Sequence, residues 1–153
     1  MIIRLVHPGA ASRGPLDEAA RDYRDRVARV TRVEEVWLKP SRRPDPAMAL
    51  AEEAERILAT LRERDRLVAL DRGGRAWTSP EVAKRIDAWS QLGLGALVVA
   101  IGSASGLAPT VLERADEKWS FGPLTLPHDL ARVVFWEQMY RGFSILRGEP
   151  YHK

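Results

Sequence analysis

Ala96-Leu97-Val98-Val99-Ala100-Ile101-Gly102-Ser103-Ala104-Ser105-Gly106-Leu107 is the stretch on which the fold turns. Its first six residues are apolar without interruption, and half are β-branched, so they predict a buried strand. The Gly/Ser loop that follows lies, in an α/β sheet, at the edge where ligands gather. On the N-terminal side, Val82, Ile86 and Trp89 mark the core face of a helix that Thr78 or Ser79 can cap, with Pro80 in its first turn. Before that come a strand over Arg66–Asp71 and a turn, Arg72-Gly73-Gly74-Arg75. Further back, Leu50, Ala54, Ile57, Leu58 and Leu61 predict a helix over Ala47–Glu63, preceded by a basic, proline-rich loop over Lys39–Pro46 and a strand over Val33–Leu38. Leu16, Ala20, Tyr23, Val27 and Val30 predict a helix over Pro15–Val30, and Ile2–Val6 a first strand. On the C-terminal side come a short helix from Pro109, a weaker strand over Trp119–Leu124, a helix over Pro127–Leu146 and a polar tail. This alternation predicts one α/β domain over residues 1–153, with helices on both faces of a sheet.

The chain has 153 residues, 45% of them apolar, enough for one core and too few for two. Cysteine is absent, which removes disulfide frameworks, zinc knuckles and thiol catalysis and fits a cytoplasmic setting. The N-terminal run Met1–Pro8 is too short for a signal peptide and carries Arg4. A charge-free stretch spans Ala88–Leu112, but its apolar centre is only Leu94–Ile101, so no membrane span is expected. Net charge is +3, and 20 of the 24 basic residues are arginine. Acidic residues sit among the helical arginines, which reads as solvated helix surface; the balance permits a nucleic-acid partner without demanding one.

Several familiar motifs fail. Gly93-Leu94-Gly95 starts like a dinucleotide fingerprint, but Val98 holds the third glycine position and the motif precedes its strand. Gly102-Ser103-Ala104-Ser105-Gly106 has the frame of a nucleophile elbow with Ala104 where the nucleophile belongs. No lysine follows a glycine-rich loop as in a P-loop, and His7, His128 and His152 lack metal-ligand spacing, so no metal is expected. What remains is a set of three loops, each after a strand: Leu70–Gly74, Ile101–Leu107 and Gly122–His128. Their glycines let backbone approach a ligand closely. The last helix is apolar nearly all round, through Leu130, Val133, Val134, Phe135, Trp136, Met139, Tyr140, Phe143 and Ile145. Such a helix needs cover on most sides, which predicts a homodimer built on it and centred on Phe135, Trp136 and Tyr140.

The sequence resembles the ribosomal RNA large-subunit methyltransferase H family, the pseudouridine N3-methyltransferases of the SPOUT superfamily. The resemblance spans essentially the whole chain. It is carried by Leu70-Asp71 with Gly73-Gly74 and Trp77-Thr78-Ser79, by Ile101-Gly102 with Gly106-Leu107, and by Trp119-Ser120 with Leu124-Thr125-Leu126-Pro127-His128. Arg132-Val133, Glu137-Gln138, Tyr140-Arg141 and the ending Gly148–Lys153 extend it. Departures stand at Ser103 and Ser105, where relatives usually carry a glycine and an acidic residue, at Gly122, often a serine, and at Ala10, commonly a lysine.

The resemblance implies a SPOUT-type fold with a deep trefoil knot near the C-terminus, the knot and cofactor site falling in about residues 67–153. It implies S-adenosyl-L-methionine held by Leu70, Gly102 and Ser103, and by Gly122, Pro123, Leu124, Thr125, Leu126 and Pro127. It implies as substrate a pseudouridine of 23S ribosomal RNA within the assembled ribosome. His152, Tyr151, Arg141 and Arg132 are the candidate catalytic residues, because a cation or base must help remove the N3 proton. For Arg132 and Arg141 phosphate contact is an equal expectation, and for His128 capping of the helix it opens. The rival expectation is a non-catalytic ribosome-binding factor with a weakened pocket, for which Ser103 and Ser105 are the motivating residues.

Overall fold

Ala96–Ile101 is the central strand of a five-stranded parallel sheet, in a computed structural model that describes residues 1–153. In chain order the elements are β1 (Ile2–Pro8), α1 (Pro15–Ala28), β2 (Arg32–Leu38), α2 (Pro46–Leu58), β3 (Arg66–Ala76), α3 (Ser79–Gln91), β4 (Ala96–Ile101), α4 (Pro109–Arg114), β5 (Glu117–Ser120) and α5 (His128–Leu146). The strand order is β2-β1-β4-β3-β5. Successive side chains of β4 point to opposite faces, and both sets are buried because helices cover both sides. Leu97, Val99 and Ile101 join Ile3, Leu5 and Val68 beneath α1, α3 and α5. Ala96, Val98 and Ala100 join Val6, Leu67 and Ala69 beneath α2 and α4. No helix is long and apolar enough to cross a membrane.

The differences from the sequence pattern have local causes. Thr78, not Ser79, caps α3, in a reciprocal box with Glu81. The helix predicted to reach Glu63 stops at Leu58, where the Thr60 hydroxyl donates to the Ile57 carbonyl. The expected turn at Arg72–Arg75 lies inside β3, which runs on to Ala76 through a bulge against β5. Gly74 permits this: a Cβ there would meet the Lys118 carbonyl carbon at 2.6 Å. β5 begins earlier than its apolar residues suggest, because the Asp116 carboxylate accepts from Leu67 N–H and its own N–H bonds Leu67 O. It ends at Ser120, whose hydroxyl accepts from Gly122 N–H, and Gly122 turns the chain with a φ of 108°.

The largest correction concerns α5. Phe135 and Trp136, expected at the centre of a dimer interface, are fully buried within the chain, packed with Met139 under α1 and α3. The half-buried apolar residues left on the helix include Leu130, Val134 and Ile145.

Candidate cofactor and active site

β4, β3 and β5 are neighbours and parallel, so the loops after β4 and β5 emerge at the edge of the sheet where β3 makes its bulge. Leu70 ends the regular part of β3, opposite Ile101 on one side and Trp119 on the other. The loop after β4 folds on itself: Ser103 and Gly106 form an antiparallel bridge, and Gly106 N–H donates to Ser103 O at 2.9 Å. Gly102 is required there, since a Cβ would sit 2.5 Å from the Gly106 carbonyl carbon. The loop after β5 is tied to the bulge and to the loop after β4. Arg72 donates to the Thr125 hydroxyl at 3.2 Å, and His128 Nδ1 lies 3.3 Å from Gly102 O. The nine residues expected at the cofactor therefore stand on β3 at its bulge and on the two linked loops after β4 and β5. Within them Pro123, Leu124, Thr125 and Pro127 are exposed, Leu124 to 73%, while Leu70, Gly102, Ser103, Gly122 and Leu126 are half-buried. A cavity of about 330 Å³ lined by Trp77, Ser79, Trp119, Phe121 and Gln138 shares Gly122 with this edge.

The four candidate catalytic residues fall into two places. Arg132 is 3% exposed and makes a buried cluster. Its guanidinium donates to Asp17 at 2.6 Å and to both Glu35 oxygens at 2.8 and 2.7 Å, and it lies over the Trp37 ring. Glu35 also accepts from Trp136 Nε1 at 2.8 Å and from His7 Nε2 at 3.3 Å. Burial pushes the Glu35 carboxyl up, but the bonds from Arg132, His7 and Trp136 outweigh it and hold the group far below the usual carboxylate range. The bond from Arg132 likewise lowers Asp17. With its donors facing two carboxylates, Arg132 holds α5 to α1 and β2.

Arg141, Tyr151 and His152 form the second place, on α5 and the tail. Arg141 donates to Glu137 at 2.9 Å, sits 4.6 Å from the Tyr151 ring centre and lies 3.3 Å from His152 Nδ1. The Tyr151 hydroxyl donates to Glu137 at 3.0 Å and meets the Tyr23 hydroxyl at 3.1 Å, while its ring packs edge-on against Tyr140. Burial and these bonds push the Tyr151 phenol well above its ordinary value, so it stays protonated. His152 and Lys153 are exposed. Glu137 lies nine residues along α5 from His128, roughly 13 Å at helical rise, and the tail's side-chain bonds go to α1 and α5, none to the loops of its own chain.

His128 does not cap α5, which begins without a side-chain cap. Its ring reaches Gly102 O on one side and His7 Nδ1, at 2.9 Å, on the other. His7 is fully buried and stacked on Trp37 at 3.9 Å. The sequence pattern weighs His7 only as a metal ligand and gives Glu35 and Trp37 no role. The available signal is an imidazole just past the first apolar strand and a carboxylate within the second.

Comparison with known proteins gives the family. A family model described as "Predicted SPOUT methyltransferase" matches residues 1–152. Proteins named Ribosomal RNA large subunit methyltransferase H are similar over nearly the whole length. The one from Alkalilimnicola ehrlichii is 40% identical over 156 residues, covering 100% of this chain and 99% of that protein. The one from Rubrobacter xylanophilus is 49% identical over 144 residues, covering 92% and 91%. Among solved structures, a probable methylase family protein from Haemophilus influenzae shares the fold, with a TM-score of 0.60 at 16% identity, over 99% of this chain and 70% of that one. Matched from end to end, with the β3 bulge and the loops after β4 and β5 at one sheet edge, the chain belongs to the SPOUT methyltransferase family.

Proposed function

We propose that this protein uses S-adenosylmethionine to methylate N3 of a pseudouridine in 23S ribosomal RNA, as a cytoplasmic homodimer acting on assembled ribosomes. The observation that carries the reading is the joining of the glycine-bearing β3 bulge and the two glycine-bearing loops after β4 and β5 by Arg72–Thr125 and His128–Gly102 at one edge of the sheet. The residues fit the cofactor. Leu70 and Leu126 offer apolar side chains, Gly102 offers backbone without a side chain and Ser103 backbone with only a small one, and nothing lies within 4 Å of where a Cβ on Gly122 would stand. Bound there, the cofactor would supply an electrophilic methyl group. The reading includes the deep trefoil knot that the resemblance implies for the C-terminal part.

The protein's own work is to place N3 in line and to take its proton. If N3–H is about as acidic as a phenol, removing the proton at neutral pH costs roughly 4 kcal/mol. The tail divides this work. Tyr151 stays protonated and cannot be the base, so it stacks on the base or orients it. Arg141 offsets developing negative charge, and the exposed His152 imidazole accepts the proton. Arg132 holds α5 in position. Because the tail is docked on Glu137 and Tyr23 and makes no side-chain bond to its own loops, a second copy is the simplest source of the tail at each site. The half-buried apolar residues of α5, with exposed Leu124 and Leu146, supply surface for that copy.

Against the non-catalytic rival, the Ser103–Gly106 bridge uses backbone atoms and leaves the serine side chains out of the turn. A chain this small also has little surface with which to read an isolated sequence, which favours a target shaped by the ribosome. The test is methyl transfer from labelled cofactor to ribosomes and to naked transcript at matched salt, with the product mapped by mass spectrometry. Methylated pseudouridine on ribosomes and little on transcript is expected. No cofactor binding up to millimolar concentration would hand the case to the rival, and equal labelling of both substrates would remove the ribosome requirement.

A further inference from the structure

Two imidazoles bridge the buried carboxylate cluster to the cofactor loop, and the bonds fix how many protons they hold. Glu35 is ionised and can only accept, so His7 Nε2, 3.3 Å away, carries a hydrogen. Burial pushes the His7 imidazolium down, which leaves His7 neutral with a bare Nδ1. His128 Nε2, 2.9 Å from that nitrogen, must then donate. At the far side His128 Nδ1 faces the Gly102 carbonyl at 3.3 Å, and a carbonyl also only accepts. Three bonds between two acceptors need three hydrogens, one more than two neutral rings possess.

The charges around the pair match this count. Arg132, Asp17 and Glu35, all with side chains below a tenth exposed, sum to one negative charge, which a proton on the pair cancels. The other charged groups facing the cluster are more solvated: Arg21 on Asp17 and Arg24 on Glu35, from α1. Asp129, beside His128 on α5, is engaged by the Ser12 hydroxyl. The loop from Gly102 to Ala108 contributes no ionisable side chain.

We propose that His7 and His128 are positioning residues that share one proton beyond neutrality and use it to hold the Gly102 carbonyl, and with it the cofactor loop, in its binding shape. The inference rests on the cofactor reading above. When the proton leaves, one bond must fail. Two bare ring nitrogens facing each other at 2.9 Å, or a bare His7 nitrogen against the Glu35 carboxylate, are each worse than a bare His128 nitrogen 3.3 Å from a neutral carbonyl, so the bond to Gly102 is the one lost. Cofactor affinity therefore falls as pH rises through the titration of the pair.

Calorimetry with S-adenosylmethionine, run on wild type and on His7→Phe between about pH 5.5 and 8.5, reads the effect. Wild type is expected to lose about three- to tenfold in affinity across the range, the worth of one hydrogen bond. In His7→Phe a neutral His128 can keep its one hydrogen on Nδ1, so the affinity should stay level; the ligand's own titration is common to both proteins. His128→Ala should bind three- to tenfold more weakly at low pH, and His128→Asn, which keeps a donor toward Gly102, should recover most of that loss. Parallel pH profiles for wild type and His7→Phe, or no rescue by Asn, would overturn the proposal. Nitrogen-15 spectra of the imidazoles test the pair without cofactor and in wild type alone. One ring protonated at both nitrogens beside one neutral ring is expected at low pH, and two neutral rings throughout would overturn it. Failure of wild type to bind cofactor at any pH would sink the cofactor reading, and the spectra would still decide the pair.

Discussion

At Gly102 the space allowed to one side chain decides whether the second loop can close. A methyl there would stand 2.5 Å from the backbone of Gly106, and neither end of the bridge can yield without opening it. Gly102→Ala should weaken S-adenosylmethionine binding more than tenfold, read by calorimetry, while circular dichroism stays unchanged because the loop lies outside the core. Arg132 shows the opposite case, a side chain whose loss is felt in stability. Arg132→Met leaves Asp17 and Glu35 buried with only the more exposed Arg21 and Arg24 as cations, which should cost about 3 kcal/mol in urea unfolding at pH 7. The pH dependence has a definite sign. Both carboxyls are held below their unfolded values, 4.5 for Glu35 and 3.8 for Asp17, so their contribution is full above those values and is lost as pH falls below them. The deficit of Arg132→Met should therefore shrink below about pH 4; a deficit constant down to pH 3 would mean the ion pairs are not its source.

Among the elements, α5 separates what pattern can tell from what it cannot. Its limits were legible to within a residue, because the apolar run and the flanking Pro127 and polar tail mark both ends. Its direction of burial was not. An almost uniform helix has no preferred face, and only its packing against α1 and α3 turns Phe135 and Trp136 inward. The loops after β4 and β5 were legible because each follows a strand and carries glycine. The His7–Glu35–Arg132 cluster was not, since it needs the register that sets His7 opposite Trp37 and the crossing of α5 over both strands. The β3 bulge was hidden for a similar reason: two adjacent glycines read as a turn until β5 is present to pair beyond them. If the half-buried side of α5 meets a second copy, Val134→Asp should convert the dimer to a folded monomer, giving the mass of one 17.2 kDa chain in light scattering with little change in melting. A dimer that survives this change would place the interface elsewhere.

For the whole molecule, the proposed chemistry asks how a tail docked on the middle of α5, roughly 13 Å along the helix from His128, would reach a methyl group held at the loops. Tyr151, Arg141 and Glu137 hold the tail in place, so swinging it to its own loops would break several bonds and expose the Tyr140 ring. A two-fold dimer meets the requirement without that cost if each tail faces the partner's loops. Deleting Tyr151–Lys153 should then abolish methyl transfer to ribosomes while cofactor binding and dimer mass remain. Mixing decides whether the tail works on its own loops or on the partner's. Gly102→Ala keeps its tail but has no working loop; the truncated chain keeps its loop but has no tail. Each is inactive alone. In the mixed dimer, a tail acting across the interface reunites the intact loop of one chain with the intact tail of the other. Random exchange of a two-fold dimer then restores roughly a quarter of wild-type activity. A tail acting within its own chain restores nothing, because neither chain holds both parts. Activity that appears on mixing and disappears with Val134→Asp in both chains would tie the chemistry to the α5 interface. No recovery after verified subunit exchange would return the tail to its own loops and require it to undock.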